Sequence, residues 1–283
     1  MSKIYITADS TIDLPAALLE KYDIKTTPLH VFIGEDEYLD GVSINSTELL
    51  DKYNETKILP KTSAVPVAEY EEFFGRLTAD GAFVVHYSLS SALSSSHQNA
   101  LIASAGFNGK VFVVDTLLLS TAMALLAVKG CQMRDKGLSA EEIFRRSNDL
   151  RSKVKCSFIL DKLDFLSKGG RCSALTAFGA NILGIKPSIE MNNGKLGVAK
   201  KYRGKIELCQ LQYINDLLSS EQNIDLSLGF LTFSEGCSEE QLENLRKEIR
   251  KNCRFECIET TKAGCTVTAH CGRNTMGFLF MTD

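Results

Sequence analysis

No apolar run in the chain approaches the length of a membrane span; the longest candidates, residues 117–128 and 278–281, are too short or interrupted. Stable membrane insertion is therefore not expected. Nor is there an excess of charge: 32 basic against 35 acidic side chains leave a net charge of −3. Such a balance provides no global field for nucleic acid, so an anionic partner must be caught by a local site. Several familiar motifs are missing as well. There is no G-x-x-x-x-G-K-[ST] loop, no G-x-G-x-x-G after a strand, no G-x-S-x-G elbow and no H-E-x-x-H. Nucleotide hydrolysis, hydride transfer and zinc peptidase chemistry lose weight accordingly. Residues 1–6 read as a strand at once and not as a basic, cleavable leader, so the expected location is the cytoplasm. Nine cysteines, an odd number, then read as reduced thiols. The nearest approach to a metal pattern is Cys253-x3-Cys257 followed by Cys265, His270 and Cys271, and its spacing matches no zinc ribbon or finger. Residues 255–258 alternate like a strand that points Cys253 and Cys257 to one face, as half-buried fillers. No metal is expected.

What is present is a chain of 283 residues that alternates short apolar runs with amphipathic stretches. Residues 4–8, 82–87 and 111–115 read as buried strands, and 24–33 as extended. Helices are expected over 46–53, 67–77, 94–105 and 120–136. Strands apolar on both faces and separated by helices imply a parallel sheet in a layered α/β domain. The second half is less regular. It has a helix over 139–150 capped by Ser139, a strand at 156–160, a short helix at 163–168 and a hairpin turning at Asn192-Asn193-Gly194. Further strands at 226–233, 255–260 and 277–281 surround a helix at 238–251, giving α+β character. The expected architecture is two closely packed domains, 1–160 and 161–283, with no proline- or glycine-rich linker between them.

Hydroxyl-rich segments lie at strand ends. Asp9-Ser10-Thr11 follows the first strand, Lys61-Thr62-Ser63 precedes a helix, and residues 88–96 contain six serines. In a parallel sheet, strand ends converge on one edge where helix N-termini offer free N–H groups to an anion. Capping is the alternative role for these residues, but one helix needs only one cap. Lys168-Gly169-Gly170-Arg171 pairs glycines that permit close approach with an arginine able to grip an anion, though a plain helix stop fits too. His270 is either a core histidine or a catalyst. Residues 200–205 carry four positive charges, a solvated face or a dock for an acidic partner.

Taken in order, residues 6–15, Asp40-Gly41, Thr62-Ser63, the Ser-Ser-x-Leu-Ser segment before Gln98-Asn99-Ala100, Lys168-Gly169-Gly170-Arg171, Ile185-Lys186-Pro187, Asn193-Gly194-Lys195 and His270-x-Gly272 resemble the DegV family. That family comprises fatty-acid-binding proteins, including the acyl-presenting subunit of bacterial fatty acid kinase. The resemblance spans almost the whole chain. It implies a two-domain α/β protein that holds one long-chain fatty acid in a tunnel between its domains, with no cofactor besides that ligand. The carboxylate would be held by Thr62 or Ser63 and by Ser94, with Arg171 and His270 at or near the same head-group site. An ATP-dependent fatty acid kinase would be the partner, with Arg203 the candidate contact to it or to phosphate. The chain departs from the family pattern at Ser95-Ser96-His97, at Pro66, at Thr116 and at Gly272-Arg273-Asn274. Two competing readings use the same residues. One is a serine hydrolase of acyl esters or thioesters, with Ser94 as nucleophile, His270 as base and Asp9 orienting it. The other is a sensor of sugar or nucleotide phosphates, which needs no long apolar tunnel.

Overall fold

The computed structural model describes residues 2–173 and 184–283. Its described residues form three sheets. The first is fully parallel, in the order β2 (Ile24–Thr27), β1 (Ile4–Asp9), β6 (Phe83–Ser88), β7 (Val111–Asp115). In β6 every residue after the first is buried, because helices cover both faces. α3 (Val67–Thr78) and α4 (Ser96–Ser104) pack against it, as do α5 (Thr121–Asp135) and α6 (Ala140–Leu150). The expected parallel sheet is therefore present, with the boundaries of its helices shifted by a residue or two.

A second, antiparallel sheet lies in the order β4 (Asp36–Leu39), β3 (His30–Ile33), β5 (Lys61–Ser63). The single extended run expected over 24–33 is thus two strands belonging to different sheets. Pro28 sits at the break, where it has no N–H to give a ladder.

The third sheet is mixed: β11 (Lys195–Arg203), β10 (Ile185–Asn192), β9 (Ser157–Ile159), β14 (Met276–Thr282), β12 (Ile224–Phe233), β13 (Ile258–Lys262), with β8 (Val154–Lys155) also on β14. The hairpin of β10 and β11 turns at Asn193 and Gly194, both with positive φ, as the Asn-Gly signal requires. β13 begins later than expected, and Cys253 ends α9 (Glu239–Asn252) instead of lying in register with Cys257 on a strand. β8 and β9 precede residue 160 yet pair within this sheet.

α5 joins the two halves. Eleven of its fifteen residues are buried, since it touches β1 and β6 on one side and β8, β12 and β14 on the other. Its first eight residues, 121–128, are buried on every side, as in a helix enclosed by protein. A short helix, α10 (Cys265–Cys271), crosses in the opposite direction and packs with β3 and with α2 (Ser46–Thr56) around Val31, Ile33, Leu49, Cys265 and Ala269. The C-terminal half thereby places one helix inside the N-terminal half.

Candidate functional site

Between the parallel and mixed sheets lies a narrow cavity of about 60 Å³. Its lining draws on both halves: Leu29, Leu89, Leu93 and Leu119 from one, Leu166, Leu196, Val267 and Cys271 from the other. A second, smaller cavity of about 30 Å³ shares Leu119, Phe158, Val267 and Cys271 with it and continues to Phe233 and Leu279. The two cavities adjoin through this shared apolar wall, and hydroxyl side chains line both, with His270 and Arg171 in the first.

There Thr62, on β5, meets His270, at the end of α10, with 2.8 Å between Oγ1 and Nε2. Ser94 lies in the turn before α4, its Oγ 3.0 Å from that of Ser96 and accepting from the Ser96 N–H. Arg171 follows α7 (Asp164–Gly169), which Gly170 closes in the left-handed conformation at φ 71°. Its Nη1 donates to the Gly169 carbonyl at 2.8 Å. Arg171 is the single charged side chain among the described lining residues. Burial, seconded by the Arg171 charge, drives the His270 pKa down to about 4. The ring is therefore neutral near pH 7. Its Nδ1 is buried without a partner, tight against Gly169. Placing the one ring proton on Nε2 lets it donate to Thr62 Oγ1 and leaves the Thr62 hydroxyl proton free for an acceptor in the cavity. Arg171, Thr62 and Ser94 then bring one positive and two hydroxyl groups to a mostly apolar lining. That arrangement suits a carboxylate with a hydrocarbon tail.

Of the expected head-group residues, Thr62, Ser94, Arg171 and His270 line this cavity, and Ser63 does not. Alternation along β5 leaves Ser63 exposed, with its hydroxyl toward its neighbour Ala64. Arg203 is exposed at the end of β11, outside the cavity lining. Three further serines of the 88–96 segment bond within the protein. Ser88 bonds the Val114 carbonyl and His97, Ser90 the Gly194 carbonyl, and Ser91 the Asp115 carboxylate.

The hydrolase arrangement is not formed. Asp9 is fully buried and accepts from Tyr70, His86 and the Leu89 N–H, so it orients His86 and not His270. His270 Nε2 faces Thr62, and Nδ1 has no carboxylate partner. At α10 no helix end is open to an anion. The N-terminal N–H groups of α10 are taken by two carboxylates, Gly264 by Asp13 at 2.9 Å and Cys265 and Thr266 by Asp40 at 2.8 and 3.2 Å. These two aspartates fix the helix that carries His270, and Asp40-Gly41 had shown only as part of a pattern. Asp13 also accepts from Ser120, and burial pushes its pKa up to about 8.

A family model described as DegV, an uncharacterised protein family, matches residues 3–283. The chain belongs to the DegV family. Among its relatives, a DegV domain-containing protein of Clostridium acetobutylicum is 31% identical over 284 residues, 99% of each chain. A protein of Thermotoga maritima named fatty acid-binding protein is 30% identical over 286 residues, 98% of this chain and 96% of that one. A solved structure described as a DegV lipid binding protein from T. maritima superposes with a TM-score of 0.86 at 28% identity, covering 99% of this chain and 98% of the other. This DegV chain thus shares the architecture of a described lipid binder along nearly its full length. The described residues include no cluster of His, Cys, Asp or Glu able to hold a metal ion, and no helix long and apolar enough to cross a membrane.

Proposed function

We propose that this DegV-family chain binds one long-chain fatty acid, buries the tail in the cavities between the two larger sheets and holds the carboxylate at Thr62, Ser94 and Arg171, with His270 ordering Thr62. The observation that carries the reading is the meeting of Thr62, Ser94, Arg171 and His270 in the lining of a mostly apolar cavity. The named relatives support it, being a fatty acid-binding protein and a lipid-binding structure. Burying about ten methylenes at ~0.8 kcal/mol each contributes roughly 8 kcal/mol gross, so the tail dominates affinity. A charge-assisted hydrogen bond adds about 1.5–3 kcal/mol, so the head group chiefly sets orientation and selects carboxylates.

The chain itself performs no chemistry in this reading. It presents the carboxylate to an ATP-dependent fatty acid kinase, and the exposed basic end of β11, with Arg203, meets that partner or the phosphate. The kinase role is supported by the motif resemblance and by the separation of Arg203 from the lipid cavity. The carrier works in the cytoplasm, where its nine free thiols stay reduced.

The test is calorimetric titration of delipidated protein with a long-chain fatty acid. Wild type binds near one-to-one, and Ser94→Ala weakens binding about tenfold. Delipidated protein that takes up no long-chain fatty acid overturns the reading.

A further inference from the structure

Two buried side-chain polar atoms among the described residues have no hydrogen-bond partner, and they lie one turn apart on α10: Thr266 Oγ1 and His270 Nδ1. The second is accounted for by Gly169, against which it packs. The first is not. Thr266 is 5% exposed and lines the first cavity among Leu29, Leu119 and Val267. The other hydroxyls of that lining are engaged: Thr62 with His270, Ser94 with Ser96, and Thr11 with the Met123 sulfur at 3.6 Å. In the second cavity Ser120, Ser157, Thr232, Ser234 and Thr275 are all bonded within the protein. A helical threonine usually quiets its hydroxyl on a carbonyl of the preceding turn, as Thr268 does with Ala263 at 3.4 Å. Thr266 makes no such bond.

We propose that Thr266 is a second polar anchor inside the cavity and makes the protein selective for fatty acids that carry a hydroxyl close to the carboxylate. The proposal rests on the fatty-acid reading above. With the carboxylate at Thr62 and His270, Thr266 stands one helical turn, ~5.4 Å, along α10, beside the first carbons of the chain. A bare methylene there leaves a desolvated hydroxyl unsatisfied, whereas a chain hydroxyl can either donate to it or accept from it. The surrounding leucines and valine exclude other partners and raise the penalty for a mismatch.

The experiment compares myristic acid with β-hydroxymyristic acid, titrated into delipidated wild type, Thr266→Val and Thr266→Ser. Valine keeps the shape and removes the hydroxyl; serine keeps the hydroxyl. Wild type and the serine variant should favour the hydroxy acid by about tenfold. The valine variant should lose that preference while binding myristic acid as well as wild type or better. Because the readout is a ratio within each protein, a general loss of affinity does not imitate it. Wild type that binds the two acids equally, or a preference that survives in the valine variant, overturns the proposal and leaves the carrier reading standing. Wild type that binds neither acid overturns both.

Discussion

Gly169→Ala tests how His270 is held. A Cβ built at Gly169 lies 2.4 Å from His270 Nδ1 and 3.2 Å from Cε1, while ordinary contact begins at 3.4 Å. The ring must retreat by about 1 Å, but Thr62 Oγ1 already sits 2.8 Å from Nε2, on the far side of the ring. Hydrogen bonds of this kind do not shorten below about 2.7 Å, so the ring cannot slide and must swing to another rotamer. That breaks the Thr62 bond and releases the hydroxyl from its fixed orientation. The loss is about 1–2 kcal/mol, or roughly five- to thirtyfold in fatty-acid affinity. Alanine is otherwise favourable in a helix by up to about 1 kcal/mol relative to glycine, and the φ of Gly169 is not in the left-handed region, so the variant should fold and melt near wild type. Calorimetry with a long-chain fatty acid, together with the NMR signals of the imidazole, reads both effects. Wild-type affinity combined with an unmoved His270 resonance would refute the reasoning.

Other expectations follow from the charges. His270, held near pKa 4 against an ordinary 6.5, takes up its proton later than the unfolded chain does, so stability falls as pH drops from about 6.5 to 4. The full loss is about 3 kcal/mol, and urea unfolding at several pH values should show that share missing from His270→Gln. Asp13 has the opposite sign: with a folded pKa raised to about 8, its burial weakens the fold as pH rises from about 4 to 8. Asp13→Asn keeps an acceptor for the Gly264 N–H and should flatten that decline between pH 4 and 8 in a thermal-melting series; an unchanged pH profile would contradict it. Arg203→Ala should leave fatty-acid affinity within twofold of wild type and impair acyl-phosphate production with a cognate kinase, an outcome that full production by the variant would exclude.

The parallel sheet was legible because β1, β6 and β7 are short apolar runs buried on both faces, and the hairpin because Asn193-Gly194 dictates its turn. The antiparallel sheet was not. Its strands are three or four residues long, and β2 and β3 read as one run across Pro28. Hydroxyl-rich segments pointed only to strand ends, and the family resemblance picked Thr62 or Ser63 and Ser94 among them; which serines face the cavity depends on partners such as Asp115 and Gly194. The helix carrying His270 escaped notice for a similar reason. α10 has seven residues, and the aspartates holding its N-terminus lie 225 and 251 residues away, where no local pattern signals them.

The most direct test of the central claim is native mass spectrometry of the purified protein, with mass analysis of whatever organic extraction releases. The account predicts a long-chain fatty acid at near one-to-one stoichiometry, shed on delipidation and regained on adding free acid. A protein that emerges empty, and stays empty when offered long-chain fatty acids, would contradict it.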